Sequence, residues 1–152
     1  MADKATDTVM RAWARLMKAQ QMALATVERA LKEAGLPPLL WYDVLLEVER
    51  AGSAGIRPFE LERAMLLAQY NLSRLLDRLA VVGYIERRAC REDGRGQVVL
   101  LTESGRAVRR KMWPIYAHAI EMAIGRQLSA KQADVLDELL GRIIERQAGA
   151  RP

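Results

Sequence analysis

One cysteine and one histidine are all that 152 residues hold of the two side chains most used in metal and redox chemistry. A lone Cys90 excludes an internal disulfide framework and points to a reducing, cytoplasmic setting. His118 has no cysteine near it in the sequence, so a zinc site lacks its ligands; neither a metal nor a cofactor is expected. No apolar run approaches the roughly 20 residues of a membrane-spanning helix, and no membrane partner is expected. The opening MADKATDTVMRAW lacks the basic leader and apolar block of a signal peptide. Repeats and low-complexity stretches are missing too. There is no Ser–His–Asp set, no phosphate-cradling glycine loop and no nucleotide fingerprint, which argues against an enzyme.

What is present is basic charge, unevenly placed. The chain carries a formal +5. Arg87, Arg88, Arg91, Arg95, Arg106, Arg109, Arg110 and Lys111 face only Glu92, Asp93 and Glu103 over the same segment, an excess that equals the whole chain's charge. A concentrated basic stripe favours a polyanionic partner; the plainer reading is a solvated, arginine-rich helix face.

Hydrophobic periodicity gives the architecture. Val9, Trp13, Leu16, Ala23, Val27 and Leu31 fall near a seven-residue repeat, predicting one long helix over about 8–34, stopped by Gly35 and Pro37-Pro38. Shorter helices are predicted at about 41–49, at 58–65 with Pro58 in the first turn, and at 68–82, where Leu72, Leu75, Leu76 and Leu79 make one apolar face. Gly83 then supplies a left-handed stop. Ile85 to Arg88 and Val98 to Leu101 read as two strands around a polar turn, Arg91 to Gln97. Thr102 caps a long helix reaching about Gln127, bent at Pro114, and Ser129 with Gln132 forms a capping box for the last helix. The fold class expected is mainly α with a small β-hairpin wing. A helix followed by an arginine-tipped hairpin suits a protein that reads a DNA groove while a loop reaches the backbone.

The order helix–helix–helix–hairpin–helix resembles the multiple-antibiotic-resistance regulator (MarR) family of bacterial winged helix-turn-helix proteins. The likeness is densest over SRLLDRLAVVGYIERR and runs through Asp93-Gly94-Arg95 to LTESG, Leu101 to Gly105. It implies a single domain over 1–152, with long dimerisation helices at about 8–34 and 102–147 and a winged helix-turn-helix DNA-binding lobe at about 41–101. It implies a homodimeric transcriptional regulator, usually a repressor, bound to a palindromic operator in double-stranded DNA and released by a small anionic or aromatic effector. Two positions depart from the family pattern: Leu66 stands where the turn usually carries glycine, and Ala68 where a polar residue opens the recognition helix. Leu66 is expected to pack, and Ala68 is a poor cap.

On this resemblance the recognition helix presents Gln69, Tyr70, Asn71, Ser73 and Arg74 to the major groove. Amides suit adenine, and an arginine suits guanine or phosphate. The resemblance puts Arg95 at the minor groove, with Asp93 as a brace whose proposed partner is Arg78. Arg87, Arg88 and Arg91 are expected to grip flanking phosphates. The family's ligand crevice lies between dimerisation helices and DNA-binding lobe; Trp13, Met17, Trp41, Tyr42, Trp113, Tyr116 and His118 are the candidates to line it, each with packing as the plainer role. Two alternatives stand beside this reading. One is a winged helix used only for protein contacts, which would want an apolar or acidic recognition face. The other is a redox-responsive regulator using Cys90, although relatives that sense peroxide carry their thiol in the N-terminal helix.

Overall fold

The computed structural model describes residues 4–66, 71–90 and 96–149. Its elements are α1 (Asp7–Glu33), α2 (Leu39–Ala51), α3 (Pro58–Ala64), α4 (Leu72–Val82), β1 (Ile85–Ala89), β2 (Gln97–Leu101), α5 (Glu103–Ala123) and α6 (Ala130–Gly149). Single 3-10 turns, Gly52–Ala54 and Gly125–Gln127, follow α2 and α5. The mainly helical chain with one antiparallel hairpin is the fold class the periodicity predicts. Glu28–Tyr116 form one compact unit; the residues up to Val27 and those from Ala117 form a second.

The first unit is organised around aliphatic side chains that meet from five elements. Val44, Leu45 and Val48 of α2, Leu61 of α3, Leu72, Leu75, Leu76 and Leu79 of α4, Ile85 of β1 and Val99 of β2 are all buried together. Each such side chain contributes about 1.5–3 kcal/mol by leaving water. The strands pair antiparallel with Arg87 opposite Val99. A third, one-residue strand joins them: Ile56 exchanges both backbone hydrogen bonds with Val99, at 3.0 and 2.8 Å. Local sequence pattern gives no sign of this strand.

Helix ends explain the rest of this unit. The first N–H of α2 has no cap of its own and donates to the Glu28 carboxylate of α1 at 3.1 Å. Pro58 opens α3, and the Glu60 carboxylate accepts from the Arg57 N–H. Gly83 adopts φ 87, with its N–H bonded to the Ala80 carbonyl and that of Tyr84 to the Leu79 carbonyl, so α4 ends where the sequence predicts. Thr102 ties that end to α5. Its hydroxyl donates to the Gly83 carbonyl at 2.6 Å and accepts from the Gly105 N–H at 3.0 Å. Close approach at this joint explains Gly105, since an added Cβ would lie 2.1 Å from the Tyr84 carbonyl oxygen.

Three expectations need correction. The helix predicted from about Ala68 begins at Leu72, because Asn71 (φ −139, ψ 71) is non-helical and caps it, its side chain accepting from the Arg74 N–H at 3.1 Å. Leu66, expected to pack, is 75% exposed. The helix predicted to reach Gln127 ends at Ala123 and gives way to the 3-10 turn. Pro114 lies inside α5, which is continuous through it.

In the second unit the apolar stripes are present but uncovered. Val9, Met10, Trp13, Met17 and Met22 of α1 are exposed, as are Val135, Leu136, Leu139, Ile143 and Ile144 of α6, a helix with no buried side chain. The predicted capping box at the start of α6 is formed: Ser129 N–H to Gln132 Oε1 at 2.9 Å, and Gln132 N–H to Ser129 Oγ at 3.3 Å.

Gly105→Ala should destabilise the protein by about 1–3 kcal/mol through overpacking at the Tyr84 carbonyl. Helix propensity alone would give the opposite sign. Urea unfolding that finds the variant as stable as wild type would show that the joint yields freely.

Candidate nucleic-acid interface

Burying four leucines rotates α4 so that its other face meets solvent. Asn71, Ser73, Arg74, Asp77 and Arg78 are all exposed. Gln69 and Tyr70, expected to lead this face, lie outside the described residues, as do Arg91, Asp93 and Arg95 of the hairpin turn; so does the expected Arg78–Asp93 brace. The face that remains carries two arginines against one aspartate, with exposed Val81 one turn beyond Arg78. Asn71 commits its side-chain oxygen to the cap, so any contact it makes to a base edge would run through its amide NH2.

The hairpin arginines do not act alike. Arg88 is exposed and pairs with Glu86 on its own strand. Arg87, expected to grip phosphate, turns back onto α4: its guanidinium lies 3.0 Å from the Asp77 carboxylate and 3.4 Å from the Ser73 carbonyl oxygen. Sequence reasoning missed Asp77 entirely, because nothing in a local pattern joins residues ten apart on a helix and a strand. A cleft of about 480 Å³ opens between α3, α4 and the hairpin, with Pro58, Phe59, Asn71, Ser73, Arg87 and Gln97 on its walls. None of the seven candidate ligand residues lines it.

Part of the basic stripe is neutralised internally. Arg106 bonds both Glu49, at 3.3 Å, and Glu103, and Arg109 bonds Glu49 as well. Burial works against the Arg109 charge, but hydrogen bonds to Glu49 and Tyr42 outweigh it and hold the guanidinium above its ordinary pKa. Arg110 and Lys111, by contrast, are exposed.

Four of the candidate ligand residues belong to the first unit. Tyr42, Trp113 and Tyr116 form one aromatic cluster, with Tyr42 stacked on Trp113 at 6.2 Å and edge-on to Tyr116 at 5.1 Å. Trp41 sits apart from this trio, edge-on to Tyr84 at 6.1 Å. Asp43 is buried beside them. Burial pushes the Tyr116 phenol above its ordinary pKa, and Tyr42 and Asp43 push the same way. Trp13, Met17 and His118 are exposed, Trp13 by 64%; Trp13 and Met17 are on α1 and His118 is on α5, all within the second unit. Cys90 lies one residue beyond β1. Its N–H bonds the Gly96 carbonyl at 2.6 Å, and its Sγ accepts from Arg57 at 3.4 Å. No group of three His, Cys, Asp or Glu suited to a metal occurs among the described residues, and no helix among them is long and apolar enough to cross a membrane.

The family model for the MarR family matches residues 34–96, the span from the end of α1 to the start of β2. The multiple antibiotic resistance protein MarR of Salmonella typhimurium is 31% identical over 103 residues, covering 68% of this chain and 70% of that protein. The chain belongs to the MarR family.

Other members extend the likeness. Transcriptional repressor MprA of Escherichia coli K12 is 28% identical over 130 residues, 86% of this chain and 73% of that protein. With Escherichia coli K12 MarR the match spans 60% of this chain and 64% of that protein, at 29% identity. Among solved structures, the MarR family transcriptional regulator Sco3205 of Streptomyces coelicolor, crystallised in complex with DNA, superposes with a TM-score of 0.84 at 25% identity, covering 98% of this chain and 95% of that one. AbsC from the same organism gives 0.81 at 25% identity, with 97% and 99% covered. Of the two positions that depart from the family pattern, Ala68 lies outside the described residues; the cap of α4 is Asn71.

Tyr116 offers a pH test of the aromatic cluster. A raised folded-state pKa in an acid means that the neutral phenol's contribution is complete below the ordinary value of 10.0 and is lost as pH rises through the higher folded value. The tyrosinate absorbance difference between wild type and Tyr116→Phe should therefore have its midpoint above 10.0. Wild type should also lose more stability than the variant in that alkaline range. A midpoint at or below the ordinary value would mean that the phenol is not buried in solution.

Proposed function

We propose that this chain is a homodimeric, sequence-specific DNA-binding regulator, a repressor of transcription acting in the cytoplasm on a palindromic operator. One observation carries the reading: the leucine face of α4 is buried while Ser73, Arg74 and Arg78 face solvent beside an arginine-bearing hairpin. A recognition helix needs that arrangement to enter a major groove with polar side chains leading. The relative crystallised with DNA supports the groove reading, and the relative named a transcriptional repressor supports the sign of regulation.

On this proposal the chain is one functional domain. The exposed apolar residues of α1 and α6 meet their equivalents on a second copy, and the winged lobes read two half-sites. Ser73, Arg74 and the amide of Asn71, with Gln69 and Tyr70 just before them, face bases and phosphates. Arg88, Arg91 and Arg95 reach the flanking backbone, Arg95 in the minor groove. A small aromatic or anionic effector acts by favouring a spacing of the two lobes that DNA does not accept. Tyr42, Trp113 and Tyr116, already gathered in one cluster with Arg109 over the Tyr42 ring, are the residues best suited to sense it. A module for protein contacts alone would want an apolar or acidic α4 face, and this one carries Arg74 and Arg78 against a single Asp77.

Arg95→Ala should weaken operator binding and lower the slope of log affinity against log salt by roughly 0.9 for each phosphate that Arg95 neutralises in wild type. The check is a titration at several salt concentrations, on promoter and random duplexes, with sedimentation to establish the dimer. A monomer, or equal affinity for both duplexes at physiological salt, would overturn the proposal.

A further inference from the structure

We infer that Asp77 and Arg87 are a positioning pair that sets the angle of the hairpin against the recognition helix, so that Arg87 serves as a latch and not as a phosphate contact. The inference rests on the DNA-binding reading above for its consequence, but its geometry does not.

Arg87 lies in the middle of β1, opposite Val99 and two residues from the buried Ile85. Its side chain leaves the strand toward α4, where it meets Asp77 at 3.0 Å and the Ser73 carbonyl at 3.4 Å, one turn apart on the same helix. Its solvent exposure is 28%, against 63% for Asp77, so the guanidinium is the more sheltered partner. Two contacts one helical turn apart fix a direction as well as a distance, which a single apolar contact cannot do. The aliphatic core already holds α4 and β1 together through Leu75, Leu76, Leu79 and Ile85. An ion pair this exposed adds little to that stability. What it can add is orientation of the two parts that would contact DNA.

The same geometry accounts for a carboxylate on the outward face of a helix meant to meet phosphate. Alone, Asp77 would repel the duplex. Paired, its charge is answered by Arg87, and the two enter the interface as a neutral unit. Two predictions of opposite sign then separate a latch from a bystander. If Asp77 were only an unwanted negative charge, Asp77→Asn would tighten DNA binding. As half of a latch, its removal weakens binding, by roughly five- to thirty-fold if the pair is worth one or two kcal/mol.

The test uses the full-length chain and a duplex that wild type selects from a random library. Asp77→Asn, Arg87→Gln and the double variant are titrated at several salt concentrations. The latch predicts that each single change weakens binding, that the double variant is no weaker than the worse single one, and that Arg87→Gln leaves the salt slope unchanged. Tighter binding by Asp77→Asn, additive effects of the two changes, or a slope lower by roughly 0.9 per copy in Arg87→Gln would each overturn it, the last by making Arg87 a phosphate contact. Hydrogen exchange without DNA gives an independent readout: Asp77→Asn should speed exchange in β1 and β2 while the α4 amides stay protected. Unchanged hairpin exchange would also overturn the latch. If wild type selects no duplex, the DNA-binding reading fails, and the exchange result still decides whether the latch exists.

Discussion

Burial of Leu72, Leu75, Leu76 and Leu79 fixes how α4 is rotated about its own axis, and the rest of the lobe depends on that rotation. With 3.6 residues to a turn, putting these four inward leaves Ser73, Arg74, Asp77 and Arg78 no choice but the outer face. The same leucines supply the surface on which Val44, Leu45, Leu61, Ile85 and Val99 converge. Truncating one of them to alanine would cost about 2–5 kcal/mol, a large part of a domain's margin. Packing therefore decides which side chains are offered outward before any electrostatic argument begins.

Electrostatics then sorts the outward charges into two groups. Counting charge along the chain treats the arginines from 87 to 111 as one basic stripe, but the folded lobe divides them. Arg106 and Arg109 are held by Glu49, Arg87 by Asp77 and Arg88 by Glu86, so four of the six that the structure describes are answered within the protein. Arg109 is the most sheltered of these four arginines, and its carboxylate partner offsets the cost of taking its charge partly out of water. On the proposed function, a polyanion meets the remainder together with exposed Arg74 and Arg78 of α4, which lie outside the stripe altogether. Net charge along the chain does not distinguish the arginines that are paired within the protein from those that are not.

Features set by neighbours in sequence are readable in advance, and features set by neighbours only in space are not. The leucine face, the left-handed Gly83, Pro58 at a helix start and the Ser129–Gln132 box are local signals, and each is found in the structure. The start of α4 escapes the pattern because helical periodicity continues smoothly back past Asn71, and only the capping geometry marks the boundary. The pairing of Ile56 with Val99, across 43 positions, has no local signature, nor has the bond from Thr102 to Gly83. Apolar character alone predicts that Leu66 packs, yet an isolated exposed leucine is ordinary on a protein surface. Among the residues assigned to the interface, Gln69, Tyr70, Arg91 and Arg95 lie outside the described residues and rest on the family resemblance alone.

The exposed stripes of α1 and α6 bear on how weak contacts can matter. Exposed apolar residues recur at helical spacing on each helix, Trp13 and Met17 on α1 and Leu136, Leu139 and Ile143 on α6, and stripes of that kind mark interaction sites. In the proposed dimer each lobe binds DNA with its twin already held nearby, so the second engagement is effectively intramolecular. A small change in hairpin angle then acts twice on one duplex, and the two effects multiply in affinity. A feature worth little to folding, such as one half-exposed ion pair, can therefore weigh heavily on recognition while the aliphatic core bears the stability.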